Sequence, residues 1–364
     1  MAIYLLLFAS VPFWYLIFRK HKKIYVSIIA LELFALLVIR SPMLGVDMPN
    51  YVGGYEYISK LSFKEMISSL ELIFPARLHH LYAYESGYVV LNWVLSHLGI
   101  NFHGFLIIYA AFCVFAHARF VYKYSKLPWL TFLIFIAFGA YGYLFGLLRQ
   151  AIAASILLIS VDAINKKKLI RFLFLVFIAF TFHRSAMIFL PLYFLSKIKF
   201  NKSVFIGGFA IYALEFVALV TVAKNLIQAV LLAFGKSSYS ISGFSLNNFT
   251  LLLIASLLFF MLVWNMKQNC NDKQYNLICA GLWLGVFLQL ASSYLDLIGR
   301  IYTGYFLLFF ALAFSWAMRD MKKQSRSLYY LGSVMLCGML FAYYILYLNG
   351  SPNVPFVPFW QTVA

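Results

Sequence analysis

The chain has 364 residues, of which 64% are hydrophobic and only 11% charged. Soluble globular domains carry roughly 25% charged residues, so an ordinary soluble fold is excluded. The net charge of +18 does not mark a nucleic-acid binder either. The basic residues fall in short blocks between apolar runs, the pattern of the positive-inside rule.

Apolar runs near the length that crosses a bilayer, about 20 residues, recur from end to end, which predicts one polytopic all-α membrane domain over 1–364. Ala2–Phe18 lacks a basic leader and reads as a first span, not a cleavable signal. Ile24–Ile39 is the second span, with Glu32 near its middle. A polar segment follows over about 40–85, containing Gly45–Tyr51 and an amphipathic run, Phe63–Leu72. Ser86–Leu98 is apolar but short. Phe102–Phe120, Pro128–Phe145 and Leu147–Ile164 are fuller spans. Two short apolar pieces, Phe172–Phe182 and Ser185–Ser196, flank His183 and Arg184. Val204–Val222 is a span, and 223–247 is a mixed, Ser-rich loop. Asn248–Met266, Tyr275–Tyr294, Ile298–Met318 and Leu328–Leu348 complete the set. The tail from Asn349 holds three of the nine prolines and cannot be helical throughout.

Orientation follows from charge. Six basic blocks, at 19–23, 119–126, 166–171, 197–202, 267–273 and 319–326, hold 20 of the 29 Lys and Arg residues. Placing all six in the cytoplasm puts both termini and the 40–85 and 223–247 loops outside. The parity of crossings then makes Ser86–Leu98 a re-entrant or surface helix and leaves about 12 transmembrane helices. Asp47, Tyr51, Glu85, Arg149, Gln150, His183, Arg184, Asp296 and Arg300 all fall at outer loops or outer helix ends.

Arg149 is the centre of this set. An arginine on a membrane segment is costly and points to function. It stands at the start of a helix, where partial positive charge already favours an anion. Ala151, Ala154 and Ser155 give that helix a small-residue face for close packing. Arg184 and Arg300 also open inward-running helices, so three guanidinium groups and three helix N-termini suit an anionic ligand. Structural readings stand beside these. Arg149 could snorkel to the interface, Asp296 and Arg300 could pair at i, i+4, Asp47 could serve a turn, and Glu85 could favour a helix start. Glu32 and Glu215 lie within spans and read as structural. Cys113, Cys279 and Cys337 sit in apolar helices and Cys270 in a basic loop, a spacing that gives no disulfide framework or metal site. No Asp-x-Asp, His-Glu-x-x-His or phosphate-binding glycine loop occurs, so no metal or other cofactor is expected.

GVDMPNY (45–51), ESGY (85–88), GLLRQAIA (146–153), FHRSA (182–186) and DLIGRIY (296–302) together resemble the motif series of EpsG-type proteins, which group with the Wzy-type polysaccharide polymerases. GLLRQAIA is the most specific piece, close to the family's Gly-x-Arg-Gln-x-[Ile/Leu]-Ala. The resemblance implies a GT-C-like glycosyltransferase of the bacterial inner (plasma) membrane, with its site facing the periplasm or exterior. Donor and acceptor would be oligosaccharide units on undecaprenyl pyrophosphate, joined en bloc with inversion into O-antigen, capsule or exopolysaccharide. A flippase and a chain-length regulator would be partners; nucleic acid would not.

The residues suit that chemistry. A pyrophosphate leaving group needs cations, and Arg149, Gln150, Arg184 and Arg300 could supply its contacts. His183, Glu85 and Asp47 are candidates for the base that takes the acceptor's proton. Tyr51 and Asp296 are candidates for substrate contact. The rival readings are a lipid-linked oligosaccharide flippase or transporter, an O-antigen ligase-like transferase, and a non-catalytic partner of the export machinery.

Overall fold

The computed structural model describes residues 2–45, 47–70, 76–79, 82–221, 272–292, 296–320, 323–346 and 356–361. The regular elements among them are helices and one short antiparallel hairpin. The expected loop at 223–247, the expected span Asn248–Met266 and Cys270 lie outside the described residues. Five described helices are long and apolar enough to cross a membrane, or six if one bent pair is a single span. The chain separates into two compact units, residues 1–190 with 328–364, and residues 191–327.

The first unit opens with α1 (Ala2–Phe18) and α2 (Lys22–Ile39). Glu32, without an evident partner in the sequence, is held by α1. Ser10 Oγ and Trp14 Nε1 each donate to its carboxylate at 2.6 Å. A carboxylate satisfied by two donors is tolerable at that depth, where an unpaired one is not.

The polar segment is more ordered than its composition suggests. It folds as α3 (Met48–Ser59), α4 (Phe63–Ser69) and a hairpin of β1 (Ala76–His79) and β2 (Tyr82–Tyr84). Pro49 sits in the first turn of α3, where a missing N–H costs nothing. Ser62 and Glu65 form a reciprocal capping box at α4. The short apolar piece is the twelve-residue α5 (Ser86–His97). At about 18 Å long it does not reach across a ~30 Å core.

α6 (Phe102–Tyr124) and α9 (Leu148–Asn165) are the full-length helices of this unit. α2 and α9 both pack on α6, and α10 (Leu169–Phe182) packs on α9. One polar knot ties the far ends of α6 and α9. Asp162 accepts from Arg119 and Lys123, and from the Tyr124 hydroxyl at 2.6 Å. The expected span Pro128–Phe145 is broken instead into α7 (Pro128–Ala137) and α8 (Ala140–Gly146), bent by 55°. Gly139 causes the break: its φ of 80° lies in the left-handed region, which a helix cannot continue through. After α10, Arg184–Phe189 forms a 3₁₀ turn. The described part of the tail, 356–361, bridges to Arg40 at Pro358 and then turns over 359–361. Ser41 N donates to Val357 O at 2.7 Å, and Phe359 N to Ile39 O at 2.8 Å.

The second unit holds α11 (Pro191–Leu195), α12 (Lys202–Thr221) and α13 (Lys273–Ala291). It continues with α14 (Asp296–Ile301), a π-helical turn over Tyr302–Phe306, and α15 (Leu307–Asp320). Asp272 caps α13 by accepting from Gln274 N and Tyr275 N. A last helix, α16 (Lys323–Leu346), lies in the first unit from Leu328 onward.

Candidate active site

The start of α9 is built by the breakdown of α8. A helix leaves its last carbonyls without intrahelical donors. Here two side chains from distant elements take them. The Tyr109 hydroxyl of α6 donates to Leu144 O at 2.8 Å. Arg40, just past α2, donates through Nη1 to Phe145 O and, at 3.0 Å, to Leu44 O. Arg40 is fully buried, with its guanidinium 5.3 Å from the Phe145 ring centre. Gly45 passes just beside this corner with φ of 136°. A Cβ there would come within 3.0 Å of Phe145 O and of Gly146 Cα, so only glycine fits. The chain then turns at Leu147, and Arg149 stands in the first turn of α9.

Arg149 meets an anion that the protein itself provides. Nη1 donates to Glu85 Oε2 in an ion pair. Glu85 occupies the N-cap position of α5, yet its side chain does not cap that helix. Nε of Arg149 donates at 3.4 Å to the Tyr51 hydroxyl of α3. The guanidinium also lies 5.2 Å from the ring centre of Tyr84 and 5.9 Å from that of Tyr51, within cation–π range. Tyr51, Tyr84 and Tyr88 pack on one another with ring centres 5.3–5.9 Å apart. Tyr84 is fixed further by donating to Asn50 O at 2.5 Å. Gly54 leaves room for it, since a Cβ there would collide with the Tyr84 ring.

The electrostatics are those of a charge held away from water. The Arg149 side chain is 24% exposed and that of Glu85 10%. Burial raises the Tyr51 phenol above its ordinary range; Arg149 opposes that shift, and the Asp47 charge adds to it. Asp47 is half-buried at the N-cap of α3 and makes no side-chain cap. Gln150 is buried beside Arg149.

His183 and Arg184 belong to the same unit. His183 ends α10 in an extended conformation, and its Nδ1 shares a 2.5 Å hydrogen bond with Ser185 Oγ. Two residues earlier, Thr181 packs against Gly87 so closely that a Cβ on Gly87 would strike it. The end of α10 therefore abuts the start of α5, two residues from Glu85. The 3₁₀ turn that Arg184 opens packs on α9. Asp47, Tyr51, Glu85, Arg149, Gln150, His183 and Arg184 thus gather on elements of one unit. Asp296 and Arg300 fall in the other. Asp296 is the first residue of α14, and its side chain lies outside the described residues. Arg300 is exposed in the last turn of that six-residue segment. Among the described residues no three His, Cys, Asp or Glu side chains cluster as a metal site would require.

Arg40, Tyr84 and Tyr88 are the members that sequence reasoning passed over. Arg40 carried a signal. It is one of the nine basic residues outside the six basic blocks, and it directly follows an apolar span.

No curated protein and no solved structure matches the chain. A family model does, over residues 1–359, essentially the whole length, and it takes in all five motif stretches named above, four of them in the unit that holds Arg149. The chain therefore belongs to the EpsG family, a Wzy-like family of polysaccharide polymerases.

Proposed function

We propose that this membrane polysaccharide polymerase joins undecaprenyl-pyrophosphate-linked oligosaccharide repeat units by en bloc transfer with inversion, at the outer face of the inner membrane. Its 12 crossings, re-entrant α5 and GT-C-like arrangement are part of that reading, as is the whole chain acting as one domain with a flippase and a chain-length regulator. The observation that carries it is Arg149. A guanidinium is held in the first turn of α9 by Glu85 and two tyrosine rings, about 20 Å along the helix from the basic Asp162 knot.

In the reaction the acceptor sugar hydroxyl attacks the anomeric carbon of the donor. A glycosidic C–O bond forms as the anomeric C–O bond to pyrophosphate breaks. Undecaprenyl pyrophosphate leaves with the bonding pair, and the hydroxyl proton passes to a base. Arg149, with Gln150 and Arg184, stabilises the charge that builds on the pyrophosphate. Glu85 keeps the guanidinium oriented before substrate arrives. His183 is the first candidate for the base, since Glu85 is engaged by Arg149; Asp47 is the second. Tyr51 presents a ring face and a hydroxyl to sugar. Arg300 and Asp296 are candidates for substrate contact within their own unit. The chemistry asks for no resident metal.

The test is purified protein in liposomes with a defined lipid-linked repeat unit. A polymerase produces a ladder of products. A flippase would move the substrate unchanged, and a ligase-like enzyme would transfer it to another acceptor; either result would overturn the proposal.

A further inference from the structure

A trough of about 520 Å³ runs between α2 and α6, at a distance from Arg149. Its α2 wall includes Val26, Ala30 and Phe34, and its α6 wall Ala111, Phe115 and Ala118. Each set follows the i, i+3/i+4 spacing of a single helix face, and the alanines open the space between the larger side chains. The polar members gather at one end. Lys23, at the first turn of α2, and Arg119 with Tyr122, near the end of α6, line the same mouth. Lys23 is exposed. Lys22 stands beside it, donating to Ser125 O at 2.7 Å with its ammonium 5.5 Å from the Tyr122 ring centre. Asp162 is the carboxylate paired there, bonded to Arg119 and Lys123.

Length gives a second measure. Residues 23–34 and 111–122 each cover about 18 Å of helix, a little over half of a ~30 Å hydrocarbon core. The trough is one leaflet deep, apolar along its length and cationic at its rim. That rim belongs to the 19–23 and 119–126 blocks, so it faces the cytoplasm.

We infer that this trough is a binding site for an anionic phospholipid of the inner leaflet, with one acyl chain between α2 and α6 and the phosphate on Lys23 and Arg119. Basic pockets between membrane helices on the cytoplasmic side recognise lipid headgroups in this way. The occupant is distinct from the proposed substrate, whose pyrophosphate belongs at the opposite end of the unit, and the inference does not rest on the polymerase reading.

Native mass spectrometry of the purified full chain, titrated with phosphatidylglycerol or phosphatidylcholine, tests it without any activity readout. The parent should retain phosphatidylglycerol preferentially. Lys23→Gln, an exposed and foldable change, should weaken that retention about fivefold, the worth of one cation at a membrane surface. Lys20→Gln, in the same basic block but outside the trough, should leave it unchanged. Ala30→Phe should fill the trough and weaken both lipids. Equal retention of the two lipids by the parent, or equal effects of Lys23→Gln and Lys20→Gln, would overturn the site. So would efficient cross-linking between copies of the chain through Phe115→Cys, because the face would then belong to a second copy.

Discussion

Arg149→Lys separates charge from shape at the centre of the site. The substitution keeps a cation near Glu85, so the buried carboxylate retains a partner. It removes the Nε donor to the Tyr51 hydroxyl, a 3.4 Å contact and hence a weak one, together with the planar face over Tyr84 at 5.2 Å. Those ground-state losses are about 1 kcal/mol each or less, so the protein should still reach the membrane at near parental levels. Turnover should fall much further. An ammonium does not reproduce a guanidinium's bidentate grip on phosphate oxygens, and loss of one such transition-state contact costs on the order of 10²–10³ in rate. Arg149→Ala is harsher. It strands Glu85, 8% exposed, without its cation, at a stability cost of roughly 3–5 kcal/mol, and so should lower expression as well. Arg171→Lys, in the 166–171 basic block, is the control and should be nearly silent. The assay is product-ladder formation and initial rate from defined lipid-linked repeat units at matched protein levels. Parental turnover by Arg149→Lys would refute the pyrophosphate role and leave the Glu85–Arg149 pair as packing alone.

His183→Ala should abolish turnover while retaining donor binding; full activity would exclude it as the base and turn attention to Asp47. Activity should persist in EDTA, and loss in chelator with rescue by Mg²⁺ would reveal a metal requirement. In intact cells an impermeant thiol reagent should label Asp47→Cys and not Lys167→Cys; the reverse would invert the topology. Arg40→Met leaves the Leu44 and Phe145 carbonyls without their buried donor, at about 1–3 kcal/mol for each, and should lower kcat through misplacement of α9. Arg40→Lys, which can still donate to a carbonyl, should restore part of that loss, a recovery measured in the same ladder assay.

Local chemistry was readable from sequence wherever neighbours in the chain decide it. The bounds of α1, Ala2–Phe18, coincide with the apolar run. The shortness of α5 follows from run length, and the non-helical stretch at 356–361 agrees with the tail's proline content. The break at Gly139 was not readable, because glycine is also common inside membrane helices, and only tertiary packing selects its left-handed conformation. The hairpin 76–84 lies in a stretch whose polarity suggests a loop. The site followed the same division. Arg149 was marked by the cost of its location, and Glu85 by its place at a helix start. That the two are partners, 64 residues apart, is a tertiary fact with no periodicity to announce it. Glu32 makes the same point, since its donors Ser10 and Trp14 lie on another helix.

The tail segment 356–361 bears on how the protein is handled. It pairs with Ile39 and Ser41 on either side of Arg40, Phe356 packs on Tyr4, and Phe359 on His103. Arg40 in turn holds the corner from which α9 begins. A reporter or affinity handle spliced in before residue 356 would therefore strip the edge that steadies this arginine. It would report an inactive enzyme for reasons unrelated to the residue under study. Handles placed after residue 361, or at the 166–168 turn, avoid that artefact.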